Sequence, residues 1–116
     1  MATKTALKQI RGDTRRYKFQ RLNADGTPIT IRPDKIYFTV KKSYSDKVVM
    51  WQKTIDDMTI DEDGTYHFTV EPDDTNNLQY MTYVFDIEVI TDGVKTTIAK
   101  GGFTIQEEVT WAEDEV

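Results

Sequence analysis

The stretch LQYMTYVFDIEV, residues 78–89, constrains this chain more than any other. From Tyr83 onward, Tyr83, Phe85, Ile87 and Val89 fall on one face. Val84, Asp86, Glu88 and Ile90 fall on the other. Successive side chains of a strand point to opposite faces, so this is a strand with one face in a core and a wetter face marked by Asp86 and Glu88. It follows a turn-forming run, Pro72-Asp73-Asp74-Thr75-Asn76-Asn77, whose composition predicts a single helical turn.

The rest of the chain repeats this pattern at short intervals. Residues 5–11 read as a short edge strand with imperfect alternation, because Leu7 and Ile10 are out of phase. After a Gly12-Asp13 turn, residues 14–22 place Tyr17 and Phe19 inward. The cluster at 23–28 is a turn, and 29–31 is a brief extended piece stopped by Pro33. Residues 34–42 put Ile36, Phe38 and Val40 inward. Residues 48–55 are extended with both faces partly apolar, which suits a strand against solvent or a partner. A short strand at 58–60 and a turn at 61–64 precede residues 65–70, where Tyr66, Phe68 and Val70 face in. Thr91-Asp92-Gly93-Val94 is the strongest hairpin signal, and residues 94–105 return as the last strand. Ile98 and Phe103 are out of phase there. Either a bulge at Gly101-Gly102 restores both to the core, or Ala99, Gly101, Phe103 and Ile105 share the inner face; the bulge is preferred.

Seven or eight short strands with frequent turns predict an all-β, antiparallel sandwich. A Tyr just after a corner is the tyrosine-corner arrangement of immunoglobulin-like sandwiches, in which the hydroxyl bonds back to upstream backbone. Tyr83 would be that structural corner, bonding within residues 71–78, and Phe85 would hold the position of the second core Cys. The chain of 116 residues is long enough for one two-layer domain, residues 1–106, followed by an acidic tail, residues 107–116.

Composition narrows function mainly by exclusion. There is no Cys, which removes disulfides and thiolate metal sites and fits a reducing compartment. No apolar run suits a signal peptide or a membrane span, so a cytoplasmic origin is expected, with no membrane partner. A net charge of −5 argues against a general nucleic-acid binder. Charge is uneven, however. Lys4, Lys8, Arg11, Arg15, Arg16, Lys18 and Arg21 crowd the start, while Glu107, Glu108, Glu113, Asp114 and Glu115 close the chain without a base. Solvated faces are the ordinary reading of such runs; complementarity between neighbouring copies is the sharper one.

Catalytic constellations are not found. His67 is the only His and falls on the outer face of its strand; Gly-x-Ser-x-Gly and phosphate-loop patterns are missing. Paired carboxylates sit in turns, where Asp serves turn geometry. Placing Gly64 at the sixth position of an EF-hand loop leaves Thr59 first and Val70 twelfth, without the end ligands. No enzyme, cofactor or metal site is therefore predicted. Arg11-Gly12-Asp13 is read as a turn. Tyr37, Trp51, Tyr80 and Trp111 could form a carbohydrate platform or a protein interface, and interface is preferred.

The order of these features resembles a known family. The residues concerned are Arg11-Gly12-Asp13-Thr14, IYFTVKK at 36–42, Trp51-Gln52-Lys53, and Asp63-Gly64-Thr65-Tyr66 with Phe68. Further on come Pro72-x-Asp74-Thr75-x-x-Leu78, Tyr83-x-Phe85-Asp86-Ile87, Lys100-Gly101 and Glu108-Val109-Thr110. Together they resemble the small immunoglobulin-like structural proteins of tailed phages and prophages of Gram-positive bacteria, and are similar to the N-terminal domain of the baseplate upper protein. The resemblance spans about residues 10–110. It implies a non-enzymatic virion, tail or baseplate protein, multimeric in assembly, whose partners are other virion proteins or copies of itself. It would be found in the host cytoplasm and then in the virion. The longer C-terminal extension of a baseplate upper protein does not appear here, so baseplate, connector and capsid or tail decoration stay open. A free carbohydrate- or ligand-binding module is the alternative. The interface residues expected are Arg15, Arg16, Trp51 and Trp111, with the tail docking on the Arg15/Arg16 face of a neighbour.

Overall fold

In the computed structural model, residues 3–107 are described. Nine strands form among them: β1 (Thr3–Lys4), β2 (Leu7–Ile10), β3 (Arg15–Gln20), β4 (Lys35–Lys41), β5 (Trp51–Thr54), β6 (Thr59–Ile60), β7 (Thr65–Val70), β8 (Thr82–Thr91) and β9 (Val94–Gln106). One helical turn, α1 (Pro72–Thr75), lies between β7 and β8. The large sheet runs β1-β9-β8-β4-β5, with β2 also on β9, and the small sheet runs β3-β7-β6. Taken in chain order, β3-β7-β6 is the B-E-D sheet of an immunoglobulin sandwich and β9-β8-β4-β5 is its G-F-C-C′ sheet. The fold is an immunoglobulin-like β-sandwich.

Two features differ from the antiparallel expectation. β1 and β2 run parallel to β9, so the large sheet is mixed. They occupy one lane, with Thr3 opposite Ala99 and Leu7 opposite Phe103, broken at Thr5-Ala6. Gly101 explains the close approach at the break. A Cβ on Gly101 would lie 1.7 Å from the Thr5 carbonyl oxygen, so only glycine lets the two backbones meet there.

The bulge also falls elsewhere. Ile87 pairs with Ala99 and Glu88 with Thr97, which makes Ile98 the extra residue of β9. Gly101 and Gly102 pair regularly with Phe85 and Val84, and Phe103 and Ile105 are buried. The shared inner face of Ala99, Gly101, Phe103 and Ile105 is thus the arrangement present, not a bulge at the glycines. Residues 29–31 form no strand; one bridge, Leu22 to Pro28, stands there. The expected strand at 48–55 shrinks to β5: residues 48–50 belong to the irregular connection before it, and Ile55 enters a 3₁₀ turn (Ile55–Asp57) in which its side chain is buried.

Elsewhere alternation translates into burial. β4 buries Ile36, Phe38 and Val40, β7 buries Tyr66, Phe68 and Val70, and β8 buries Tyr83, Phe85, Ile87 and Val89. Tyr17 and Phe19 of β3 face the same core but stay partly exposed. The sheets are joined by packed rings: Phe38 lies 4.8 Å from Phe68 across the interface, the two rings tilted, and is stacked 5.3 Å from Phe85 within its own sheet. The hairpin places Asp92 at φ 52° and Gly93 at φ 78°, as a two-residue primed turn demands.

Phe38 is 1% exposed at the centre of these rings. Phe38→Ala is expected to cost about 3–5 kcal/mol in urea unfolding, the range for truncating a core phenylalanine. A cost below about 1 kcal/mol would contradict the packing described.

Candidate functional site

Three surface regions carry polar chemistry, and the corner is the first. Pro72 opens α1 at a position where its missing N–H costs nothing, and Asp74 Oδ2 accepts from the Glu71 N–H at 2.8 Å to cap the turn. The Tyr83 hydroxyl donates to the Gln79 carbonyl at 3.0 Å. That is the tyrosine-corner bond, with its acceptor one residue beyond the expected 71–78 segment, because the chain runs on from α1 before β8 begins. Thr75, fully buried, accepts from the Gly12 N–H through its hydroxyl at 2.9 Å. Arg11 Nη1 donates to the Leu78 carbonyl at 3.4 Å, and its guanidinium lies 4.2 Å from the Tyr80 ring centroid. Arg11-Gly12-Asp13 is therefore built into the corner.

The second region is the outer face of the large sheet. The β4–β5 connection folds back over it. Tyr44 donates its hydroxyl to the Gly101 carbonyl at 3.2 Å, and Lys41 Nζ holds the loop through the Asp46 carbonyl at 2.7 Å. Thr39, Lys41, Tyr44, Val49, Asp86 and Glu88 line a cleft of about 170 Å³ there. Burial, and then the like charge of Glu88, raises the Asp86 carboxyl above its ordinary range, against the pull of Lys41 and Lys95. Tyr44, Val48 and Val49 are exposed at 51%, 62% and 43%, an apolar ridge beside this cleft.

The third region is the outer face of the small sheet. Arg16 and Lys18 project from β3 opposite Thr69 and His67 of β7. His67 Nε2 is 2.6 Å from Asp61 Oδ2, and Lys53 pairs with Asp74 at 2.8 Å. The lone His thus faces a turn carboxylate with no nucleophile arranged on it, and among the described residues no three His, Cys, Asp or Glu converge as a metal site.

The residues expected at an interface separate. Arg15 and Arg16 are exposed. The Arg15 guanidinium donates to the Lys8 carbonyl and lies 5.1 Å from the Tyr17 ring centroid, so it closes the gap between β2 and β3. Trp51 is not at the surface. It is 8% exposed and stacks 5.5 Å from Phe38 and edge-on 5.6 Å from Phe103, because β5 turns this face inward. That removes it from any aromatic platform, and Tyr37 and Tyr80 sit apart on β4 and at the corner. Trp111 and the tail from Glu108 onward lie outside the described residues. Gln9 was missed: it is 2% exposed, donates to the Asp13 carbonyl at 3.1 Å and accepts from the Tyr17 hydroxyl at 2.9 Å.

No known family matches the sequence, and no curated protein does. Among solved structures the chain is similar to the insect immune protein hemolin, at 13% identity and a TM-score of 0.41. The alignment covers 97% of this chain and 28% of hemolin, so the chain spans under a third of that protein's length. The fold assignment itself rests on strand order and register.

Two measurements test these regions. Tyr83→Phe is expected to lower stability by about 1–2 kcal/mol, the cost of a buried hydrogen bond, and a neutral substitution would show that the corner bond contributes nothing. For Asp86 the sign follows from its raised value. The folded state holds this proton more tightly, so the contribution of Asp86 to stability is greatest below the ordinary carboxyl range and is lost as pH rises through the raised value. Asp86→Asn is expected to gain up to about 1 kcal/mol at pH 7, after screening at this half-exposed site, and nothing at about pH 3. A variant less stable than the parent at pH 7 would reverse that reading.

Proposed function

We propose that this chain is a non-enzymatic structural protein of a tailed-phage or prophage particle, in tail, baseplate or as a virion accessory. It works by docking on other virion proteins or on copies of itself. The phage assignment is supported by the resemblance across about residues 10–110. The docking role is carried by one observation: Tyr44, Val48 and Val49 form an exposed apolar ridge on a connection that the Tyr44 and Lys41 hydrogen bonds tie down over the large sheet. Exposed apolar side chains rimmed by charge, with a Tyr fixed at both ends, are the composition of protein interfaces.

A second reading, a ligand-binding module, is favoured by a different observation. At the hairpin end, Gln20, Arg21, Leu22, Ile29, Thr91 and Thr96 are among the walls of a cleft of about 400 Å³. The Thr91 hydroxyl there is buried without a hydrogen-bond partner. Calorimetric titration with cell-surface glycans distinguishes this reading, since binding by a monomeric chain would favour it.

The coding sequence is expected to lie among portal, tail or baseplate genes; an unrelated locus would remove the phage part. Val48→Lys with Val49→Lys should leave unfolding within about 0.5 kcal/mol, as surface changes do, while reducing incorporation into particles. Normal incorporation of that double variant would take the ridge out of the docking role.

A further inference from the structure

The small sheet ends at β3. β3 pairs with β7 and with no other strand among the described residues. The consequence shows in the core. Tyr17 sits opposite Phe68 and Phe19 opposite Tyr66, yet Phe68 and Tyr66 are 3% and 1% exposed while Tyr17 and Phe19 stay partly uncovered. A strand with a large apolar side chain laid along this edge would complete their burial. The edge is also strongly basic: Arg16 and Lys18 alternate with the aromatics, Arg15 shares the aromatics' side of the strand, and no acid is among them.

The sequence after β9 has the complementary chemistry. Glu107-Glu108-Val109-Thr110-Trp111-Ala112-Glu113-Asp114-Glu115 carries five acids and no base. Val109 and Trp111 are two residues apart, so an extended chain sets both on one face, with Val, Thr and Trp all favoured in strands. We infer that this C-terminal segment of a second copy adds as a strand to the β3 edge, with Trp111 against Tyr17 and Phe19, and with Glu108 and Asp114, which fall on the opposite face of the added strand, against Arg16 and Lys18. Backbone pairing supplies affinity and alternate side chains supply specificity.

The chain's exit favours a second copy over the tail's own domain. The Arg11 N–H donates to the Gln106 carbonyl at 3.0 Å, so β9 ends beside the turn that starts β3. A tail on its own β3 would have to reverse at once and cross between sheets. Extended outward, its nine residues (116 minus 107) reach about 30 Å, enough to span a neighbour's edge. Such a contact joins two unlike surfaces and propagates head to tail.

This inference rests on the docking function proposed above, and the test separates the two. Sedimentation velocity is run on the full chain, on Arg16→Glu/Lys18→Glu, on Glu108→Lys/Asp114→Lys, and on all four changes together, with a thermal melt confirming each fold. Self-association of the parent should weaken with salt, either reversal should weaken it by about tenfold or more, and the combination should restore it. Backbone amides of residues 15–20 should gain exchange protection on association. Association that ignores the reversals, or protection at another edge, overturns the inference and leaves the docking function standing. A monomeric chain whose melting shows the same charge compensation would put the tail on its own β3 and overturn the second-copy assignment. A chain that stays monomeric at about millimolar concentration without such compensation, and also fails to enter particles, overturns both.

Discussion

The sandwich depends on the ring of Phe38. It touches Trp51, Phe85 and Phe103 within the large sheet and Phe68 across the interface, with centroids between 4.8 and 6.4 Å. Immunoglobulin domains commonly place a Trp on strand C against a disulfide joining strands B and F. Here β4 supplies Phe38 at the strand-C core, β8 supplies Phe85 at the second Cys position, and the chain has no Cys. Aromatic pairs contribute about 0.5–1.5 kcal/mol each beyond the area they bury, so several around one residue can do the work of a covalent staple. The sandwich accordingly holds together without a disulfide.

With the sheets joined at the centre, one end still has to be closed, and polar groups close it. Gln9 is satisfied by Asp13 and Tyr17, Thr75 by Gly12, and Tyr83 by Gln79. Each is a buried or half-buried group whose partner comes from the turn or corner it anchors. Buried polar groups left unpaired cost more than paired ones contribute, so these bonds fix the geometry of the β2–β3 turn and the β7–β8 corner together. The same end presents the start of β3 and the exit of β9.

Alternation read from the sequence located nearly all of this core because each side of β4, β7 and β8 has one environment. It failed where long-range geometry decides. Gln9 looks like a solvent residue until the Tyr17 hydroxyl and the Asp13 carbonyl are brought to it. The parallel lane of β1 and β2 joins segments almost a hundred positions apart, which local periodicity does not report. Gly101-Gly102 resembled a bulge because glycine marks both bulges and close backbone approach; the Thr5 carbonyl shows which applies, and the bulge moved to Ile98. Trp51 misled in the opposite direction, since apolar residues on both faces of 48–55 gave no phase. Of the candidate site, the corner and the basic strand were legible, whereas the 44–49 ridge emerged only once the connection had folded over the sheet.

The two surfaces assigned to docking belong to different sheets, and that bears on assembly. The Tyr44–Val49 ridge lies over the large sheet, while the β3 edge belongs to the small one. One contact can therefore form without blocking the other. Basic side chains on an edge strand ordinarily repel unwanted strand pairing, and Arg15, Arg16 and Lys18 would do so against most chains. An acidic strand would invert that rule: charges that exclude general partners would select this one. A domain with one charge-selective edge and one separate apolar ridge can be linked to its own copies in a row and still offer a face to a different protein.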